Sequence, residues 1–184
     1  MNWNEHSSVK DLHAFLSPSK ISWIRYDSEK LRTAYMNFLG VERGTRLHAY
    51  ASEAIQLKRK QPKTKDTVSM FINDAIGYKM QSEQPLFYSY NCFGTADAIS
   101  FRKNLLRIHD LKTGNLPAHM EQLMIYAALF CLEYDHNPED IGIELRIYQF
   151  DDIQVCNPKP EEIRSIMEII ESHDEVLNKL KEDM

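Results

Sequence analysis

The chain has 184 residues, of which 43% are hydrophobic, and a formal net charge of −5. This length and composition predict one folded domain with a substantial core. The acidic balance excludes a protein that binds nucleic acid simply because it is basic. The longest apolar run, Ile125 to Leu132, is too short to cross a bilayer, and no apolar signal-peptide core opens the sequence. We therefore expect a soluble, cytoplasmic protein without a membrane anchor.

Helical patterns dominate the first part of the chain. Apolar residues at helical spacing predict a helix from about 28 to 39, ended by Gly40, and a second helix from about 43 to 60. A third helix is expected from about 66 to 80, after the break at Pro62.

The pattern then changes to an alternation of period two. Aromatic and β-branched runs predict an antiparallel meander with strands at 85–91, 94–101 and 105–112. A helix that begins near Pro117 should follow this meander.

The rest of the chain completes a mixed order of elements. Two more strands are expected within 141–157, and a long terminal helix at about 160–182. We therefore predict an α/β fold, a single domain over 1–184 with a mixed central β-sheet flanked by helices. Its core should span about 41–156 and follow an N-terminal helical region at 1–40.

Two aspartates and a lysine interrupt the apolar strand pattern. Asp110 and Lys112 are two positions apart, so they should project from the same side of one strand end. Asp97 lies on the neighbouring strand, and we expect a bulge or stagger to be needed before it can stand opposite Asp110. Clustered carboxylates persist when a cation neutralises them, and oxygen ligands suit Mg²⁺ or Mn²⁺. A lysine beside such an ion could orient or deprotonate an attacking water.

Four short motifs occur in order between residues 44 and 126. They are His48 within a helix, G-x-x-D at Gly94–Asp97, D-x-K at Asp110–Lys112 and Q-x-x-x-Y at Gln122–Tyr126. With these motifs the chain resembles the PD-(D/E)XK nuclease superfamily, within it the branch of RecB-like nuclease domains and small phage-type exonucleases. The resemblance implies an αβββαβ restriction-endonuclease-like core with extra N-terminal and C-terminal helices.

The resemblance also implies a role for each motif residue. Metal ligands would be His48, Asp97, Asp110 and the carbonyl of Leu111. Lys112 would be the catalytic lysine and would act together with Asp97 and Asp110.

Further residues are expected to support the site or to contact DNA. By resemblance, Gln122 and Tyr126, one helical turn apart, belong to this group. A basic run is a second candidate for DNA contact because a polyanion should approach it. This run contains Lys58, Arg59, Lys60, Lys63 and Lys65.

The activity implied by the resemblance is that of a Mg²⁺- or Mn²⁺-dependent deoxyribonuclease. Exonuclease action on linear duplex or single-stranded DNA is favoured, in recombination, repair or phage DNA processing, beside separate recombination proteins. A phage-encoded protein would act in the host cytoplasm. Some members of the branch hold an iron–sulfur cluster through four cysteines, one of them before the core. No cysteine precedes Cys92, so no such cluster is expected.

Other interpretations stay open at this point. A non-catalytic module of the same fold could bind DNA or a protein, and a metal oxygenase or another hydrolase is a weaker alternative. Asp97 could cap a turn, and Asp110 with Lys112 could form a strand-end ion pair of little energetic consequence. Strand alternation turns His109 away from the face of Asp110, so we expect it to be structural. Self-association as a homo-oligomer is left open.

Overall fold

The computed structural model describes residues 14–183. Contacts group these residues into two compact units, one ending at Arg43 and the other beginning at Gly44. In the first unit, the ring of Phe15 packs against those of Tyr35 and Phe38. The N-terminal helical region predicted at 1–40 includes residues 1–13, which lie outside the described part of the chain.

The helices and strands follow the predicted order, except that one helix stands where two were predicted within 28–60. The helices are α1 (Ser28–Gln56), α2 (Thr67–Gly77), α3 (Glu121–Glu133) and α4 (Pro160–Glu182). The strands are β1 (Gln81–Ser89), β2 (Cys92–Arg102), β3 (Leu105–Leu111), β4 (Gly142–Gln149) and β5 (Asp152–Cys156). None of the helices within residues 14–183 has both the length and the apolar character of a membrane span.

Helix α1 corrects the prediction of two helices at 28–39 and 43–60. The helix runs without a break through Gly40, where an added Cβ would meet nothing within 4 Å. A lone glycine costs a helix only about 1 kcal/mol relative to alanine, which the neighbouring good helix formers offset. The helix ends earlier than predicted because Lys58 adopts a left-handed backbone with φ of 54°.

Helix α3 also starts later than predicted, at Glu121 rather than near Pro117. The irregular segment before it is held in place by Gln149, whose side-chain amide donates to two carbonyls, of Gly114 and Leu116. Its side-chain oxygen accepts from the N–H of Ala118. This buried glutamine therefore fixes the entry to α3, a tertiary contact that local pattern does not reveal.

The five strands form one mixed sheet with the order β1-β2-β3-β4-β5. Strands β1, β2 and β3 are antiparallel neighbours, β4 is parallel to β3, and β5 is antiparallel to β4. A parallel pair needs a crossover connection, and α3 provides it. These observations confirm the predicted mixed α/β class and the predicted antiparallel meander.

The sheet is covered on both faces. One core cluster joins β2, β3 and β4 to α3 and α4, and includes Ile108, Leu123 and Ile163, all fully buried. The second cluster joins the opposite face to α2 and to the end of α1 through Ile72 and Ala51. Burial on both faces explains why β3 is buried over its last four residues, including His109 and Asp110.

The β2–β3 hairpin corrects the expectation that a bulge or stagger is needed to align the two aspartates. Lys103 and Asn104 have φ of 52° and 57°, as in a two-residue type I′ turn. The resulting register pairs Ala98 with His109. The next position on each strand is Asp97 and Asp110, so the tight turn alone brings these carboxylates together.

Candidate functional site

The predicted site residues converge where β2 and β3 meet α1 and α3. Asp97 Oδ2 lies 3.4 Å from His48 Nδ1, and it accepts a 2.8 Å hydrogen bond from the N–H of Leu111. Lys112 Nζ donates to Asp110 Oδ1 at 3.1 Å and to Gln122 Oε1 at 2.8 Å. The motifs that are far apart in sequence therefore form one contiguous group of side chains.

Asp110 is the most buried member of this group, with 4% of its surface exposed. Lys112 Nζ is 3.0 Å from Asp110 Oδ2, yet this oxygen accepts no hydrogen bond from any group in residues 14–183. Burial raises the pKa of the Asp110 carboxyl, and the negative charge of Asp97 raises it further. Lys112 and His48 oppose this rise. The site thus holds a buried carboxylate oxygen with unused capacity for a cation.

Lys112 follows directly after β3, and its position is fixed at both ends. Its backbone N–H donates to the carbonyl of Tyr148 at 2.9 Å, which continues the parallel pairing of β3 with β4. Its ammonium is held between Asp110 and Gln122. Gln122 lies in the first turn of α3, so this helix orients the lysine.

His48 is brought to the site by a close approach of α1. Gly44, one turn before it, lies where an added Cβ would be 2.8 Å from Thr113 Oγ1. The hydrogen bond to Asp97 raises the pKa of His48, the charges of Asp97 and Asp110 raise it further, and burial opposes the rise.

This raised pKa predicts a pH-dependent stability in the cation-free protein. A raised folded-state pKa adds stability that is complete below about pH 6.5 and is lost as the pH rises through the folded-state value. We therefore expect the free energy of unfolding to fall on the alkaline side of about pH 6.5, and this fall to be smaller in His48→Asn. Denaturant unfolding curves at a series of pH values measure this fall, and an NMR titration gives the pKa of His48. An imidazole that titrates below about 6.5 would contradict the assignment.

Tyr126 takes a structural position in this site. It packs partly buried against the core, and an added Cβ at Gly94 would lie 2.9 Å from its Cε1 atom. The glycine of G-x-x-D and the tyrosine of Q-x-x-x-Y are therefore complementary in shape. This contact joins β2 to α3 at Gly94, three residues before Asp97 in the sequence.

The contact predicts that Gly94→Ala is destabilising by about 1–3 kcal/mol, because the new methyl group overpacks the ring. The measurement is a denaturant unfolding curve. Gly77→Ala is the matched control, since its Cβ would meet nothing within 4 Å. Combining Gly94→Ala with Tyr126→Leu should recover most of the loss. An equal cost in both glycine variants would show that the ring contact is not responsible.

The remaining predicted site residues are placed apart from the cluster or in the core. Leu111 is fully buried at the end of β3, and its N–H donates to Asp97 as described.

The basic residues of 58–65 are all exposed, in the loop between α1 and α2. His48 lies eight residues before the end of α1, roughly 12 Å along its axis. The structure does not bring this basic loop into the cluster, and its contact with DNA stays a prediction.

His109 faces the other side of the sheet, as alternation predicts. Tyr148 Oη donates to Asp74 Oδ2 at 2.7 Å, so it must accept from His109 Nδ1, 3.2 Å away. This geometry requires the neutral tautomer protonated on Nδ1. Burial lowers the pKa of His109 to about 3, with Arg146 and Arg107 lowering it too. The histidine is therefore uncharged at neutral pH and supports the sheet behind Asp110.

One residue of the site was missed from the sequence. Glu83 lies within β1, and one of its carboxylate oxygens is within 4.8 Å of the nearest ligand atoms of His48 and Asp97. The predicted strand began at 85 and left this residue out. A tight β1–β2 hairpin, which pairs Ser82 with Ala98 and Gln84 with Ala96, places Glu83 opposite Asp97. A bulge between Phe87 and Ser89 shifts the pairing by one residue, so counting back from the turn would have pointed to Gln84, and no signal in the sequence alone finds Glu83.

Comparison with known proteins identifies no family and no relative for this chain. No protein-family model matches the chain, and no curated protein and no solved structure matches it either.

Proposed function

We propose that this protein is a divalent-metal-dependent DNA nuclease of the PD-(D/E)XK type. The observation that carries the proposal is the position of Lys112 Nζ, held between Asp110 and Gln122 beside Asp97 and His48. The carboxylates and the imidazole could hold a divalent cation, and the fixed ammonium beside them could stabilise charge on a phosphoryl group. Apart from α2, which lies between α1 and β1, the order α1, β1–β3, α3, β4 also agrees with the αβββαβ core that the resemblance implies.

The donor set fits a hard divalent cation. The carboxylate and carbonyl oxygens suit Mg²⁺ or Mn²⁺, and the neutral imidazole would add one nitrogen ligand. The buried Asp110 Oδ2, which accepts no hydrogen bond within residues 14–183, has the free lone pairs that a cation would use. Asp97, Asp110 and His48 would hold the ion, and the Leu111 carbonyl would be a further ligand. When bound, the ion would polarise the scissile phosphate and lower the pKa of a coordinated water.

The side chains of the protein would perform the other steps. The ammonium of Lys112 would hold the attacking water in line with the scissile bond and stabilise negative charge on the phosphoryl oxygens. Gln122 would keep that ammonium in place by accepting one of its hydrogen bonds. Asp110 would hold it from the other side, so that its charge is positioned before the substrate arrives. The products would be a 5′-phosphate and a 3′-hydroxyl.

The substrate would be linear DNA, and exonuclease action is the favoured mode because the resemblance is to exonucleases. The exposed basic loop at 58–65 would attract the DNA backbone. The acidic helix α4 begins with Glu161 and Glu162 and would be avoided by the polyanion.

A gel assay on matched substrates tests this function. End-labelled linear duplex and closed circular DNA are incubated with Mn²⁺, with Mg²⁺ or with a chelator. We expect loss of the linear DNA only, and only with a divalent cation. Cutting of the circle as well would keep the nuclease but make it an endonuclease. DNA that stays intact yet shifts in a binding gel would replace the proposal by a non-catalytic DNA-binding module.

A further inference from the structure

Glu83 is the part of the site that the family resemblance does not assign. Its carboxylate, the His48 imidazole and the Asp97 carboxylate each offer one ligand atom within 4.8 Å of the others. Ligand atoms bound to one Mg²⁺ at about 2.1 Å are at most about 4.2 Å apart. Small side-chain rotations therefore suffice to place all three around one ion.

The charges of the site leave room for one divalent cation. Glu83, Asp97 and Asp110 carry three negative charges, and Lys112 neutralises one of them through its ion pair with Asp110. A single divalent cation balances the two that are left.

An independent observation points to a ligand at the same place. Asp110, next to Asp97 across the β2–β3 pairing, is 4% exposed, and its Oδ2 atom accepts no hydrogen bond from residues 14–183. Lys112 Nζ, 3.0 Å away, offsets part of the charge of this oxygen, and a divalent cation would use its remaining lone pairs.

The backbone at Glu83 is also unusual for a strand. Its φ is 50°, in the left-handed region that glycine adopts at low cost and glutamate does not. The residue nevertheless lies inside β1, opposite Asp97. A non-glycine residue is thus kept at a position where glycine would be less strained.

We propose that Glu83 is a direct ligand of the divalent cation, which it would hold together with His48, Asp97 and Asp110. The proposal deepens the proposed function and rests on it. It adds a side chain from the edge strand β1, so that the ion connects β1, β2 and α1. Asp110 keeps both of its proposed roles, as a ligand of the ion and as the ion-pair partner of Lys112.

Mn²⁺ binding in the absence of DNA tests the proposal without relying on activity. The free Mn²⁺ signal in electron paramagnetic resonance gives the dissociation constant for wild type, Glu83→Gln and the control Glu53→Gln. Glu53 is an exposed acid on the helix that carries His48. We expect Glu83→Gln to weaken Mn²⁺ binding by about tenfold or more, and Glu53→Gln to leave it unchanged.

Each other outcome overturns the proposal in a distinguishable way. Wild-type affinity in Glu83→Gln would remove Glu83 from the ligand set and leave the proposed function intact. Equal weakening of Mn²⁺ binding in Glu83→Gln and Glu53→Gln would show that Glu83 acts only through its negative charge and is not a ligand. Absence of Mn²⁺ binding by wild type would overturn the inference and the metal-dependent function together.

A second variant separates ligation from folding. Glu83→Gly suits the left-handed backbone, so its melting midpoint should not fall below that of wild type. Its Mn²⁺ affinity should fall as in Glu83→Gln. If Glu83→Gly kept the Mn²⁺ affinity of the wild type, binding would depend on the backbone conformation at this position and not on the carboxylate. That result would overturn the proposal.

Discussion

Lys112→Ala should lower the rate of DNA hydrolysis by about 10²–10⁴-fold while the protein stays folded. The reason is that this ammonium, held by Asp110 and Gln122, is the group that would position the attacking water and stabilise charge on the phosphoryl oxygens. Initial rates of nucleotide release from linear duplex DNA in Mn²⁺ measure the effect. DNA binding in a chelator-containing buffer should change little, because one ammonium is a small part of the backbone contact.

Two further variants make this expectation specific. Lys112→Arg should not restore the rate, because the planar guanidinium is wider than the ammonium and does not fit between Asp110 and Gln122. Lys179→Ala removes a lysine that is 74% exposed on α4 and should keep the wild-type rate. A Lys112→Ala protein that hydrolyses DNA at the wild-type rate would remove this lysine from the site.

Asp110→Asn should abolish most of the activity and at the same time raise the stability of the cation-free protein. Burial and the charge of Asp97 both raise the pKa of this carboxyl, so its charged form is unfavourable in the folded state at neutral pH. The neutral amide removes this repulsion and still offers an oxygen to Lys112. We expect a gain of about 1 kcal/mol, a rise of about 2–4 °C in the melting midpoint.

The pH dependence of this gain has a definite sign. A carboxyl with a raised folded-state pKa destabilises the fold above that pKa, and this penalty disappears as the pH falls below about 3.9. The advantage of Asp110→Asn should therefore be present at neutral pH and vanish in acid. Asp152→Asn, an exposed position on β5, is the control and should change neither property. A lower midpoint for Asp110→Asn at neutral pH would show that the ion pair with Lys112 outweighs burial.

Much of the site could be predicted because its residues interrupt regular patterns. Asp110 and Lys112 end a strand whose other residues are apolar, and the structure places both on the side of α3. Strand alternation also assigned His109 correctly to the opposite face. Periodicity works here because β3 is a central strand, buried on both faces, so that each polar side chain stands out.

The missed features depend on tertiary contacts or on turn geometry. Gly40 was predicted to end a helix, but the good helix formers on either side of it offset its cost, so α1 continues past it. The alignment of Asp97 with Asp110 follows from a two-residue turn at Lys103 and Asn104, which local propensity did not specify. Glu83 was missed because its left-handed backbone does not belong to an ordinary strand pattern. Only the pairing of β1 with β2 reveals its place beside Asp97.

The central claim is that this cluster directs water to the phosphorus of a DNA strand with the help of a divalent cation. The most direct test is to incubate wild-type protein with linear duplex DNA and Mn²⁺ in ¹⁸O-labelled water and to analyse the products by mass spectrometry. We predict nucleotides with a 5′-phosphate that carries one ¹⁸O atom, and none when a chelator is present. Intact DNA with either Mn²⁺ or Mg²⁺, or products with an unlabelled phosphate, would contradict the account.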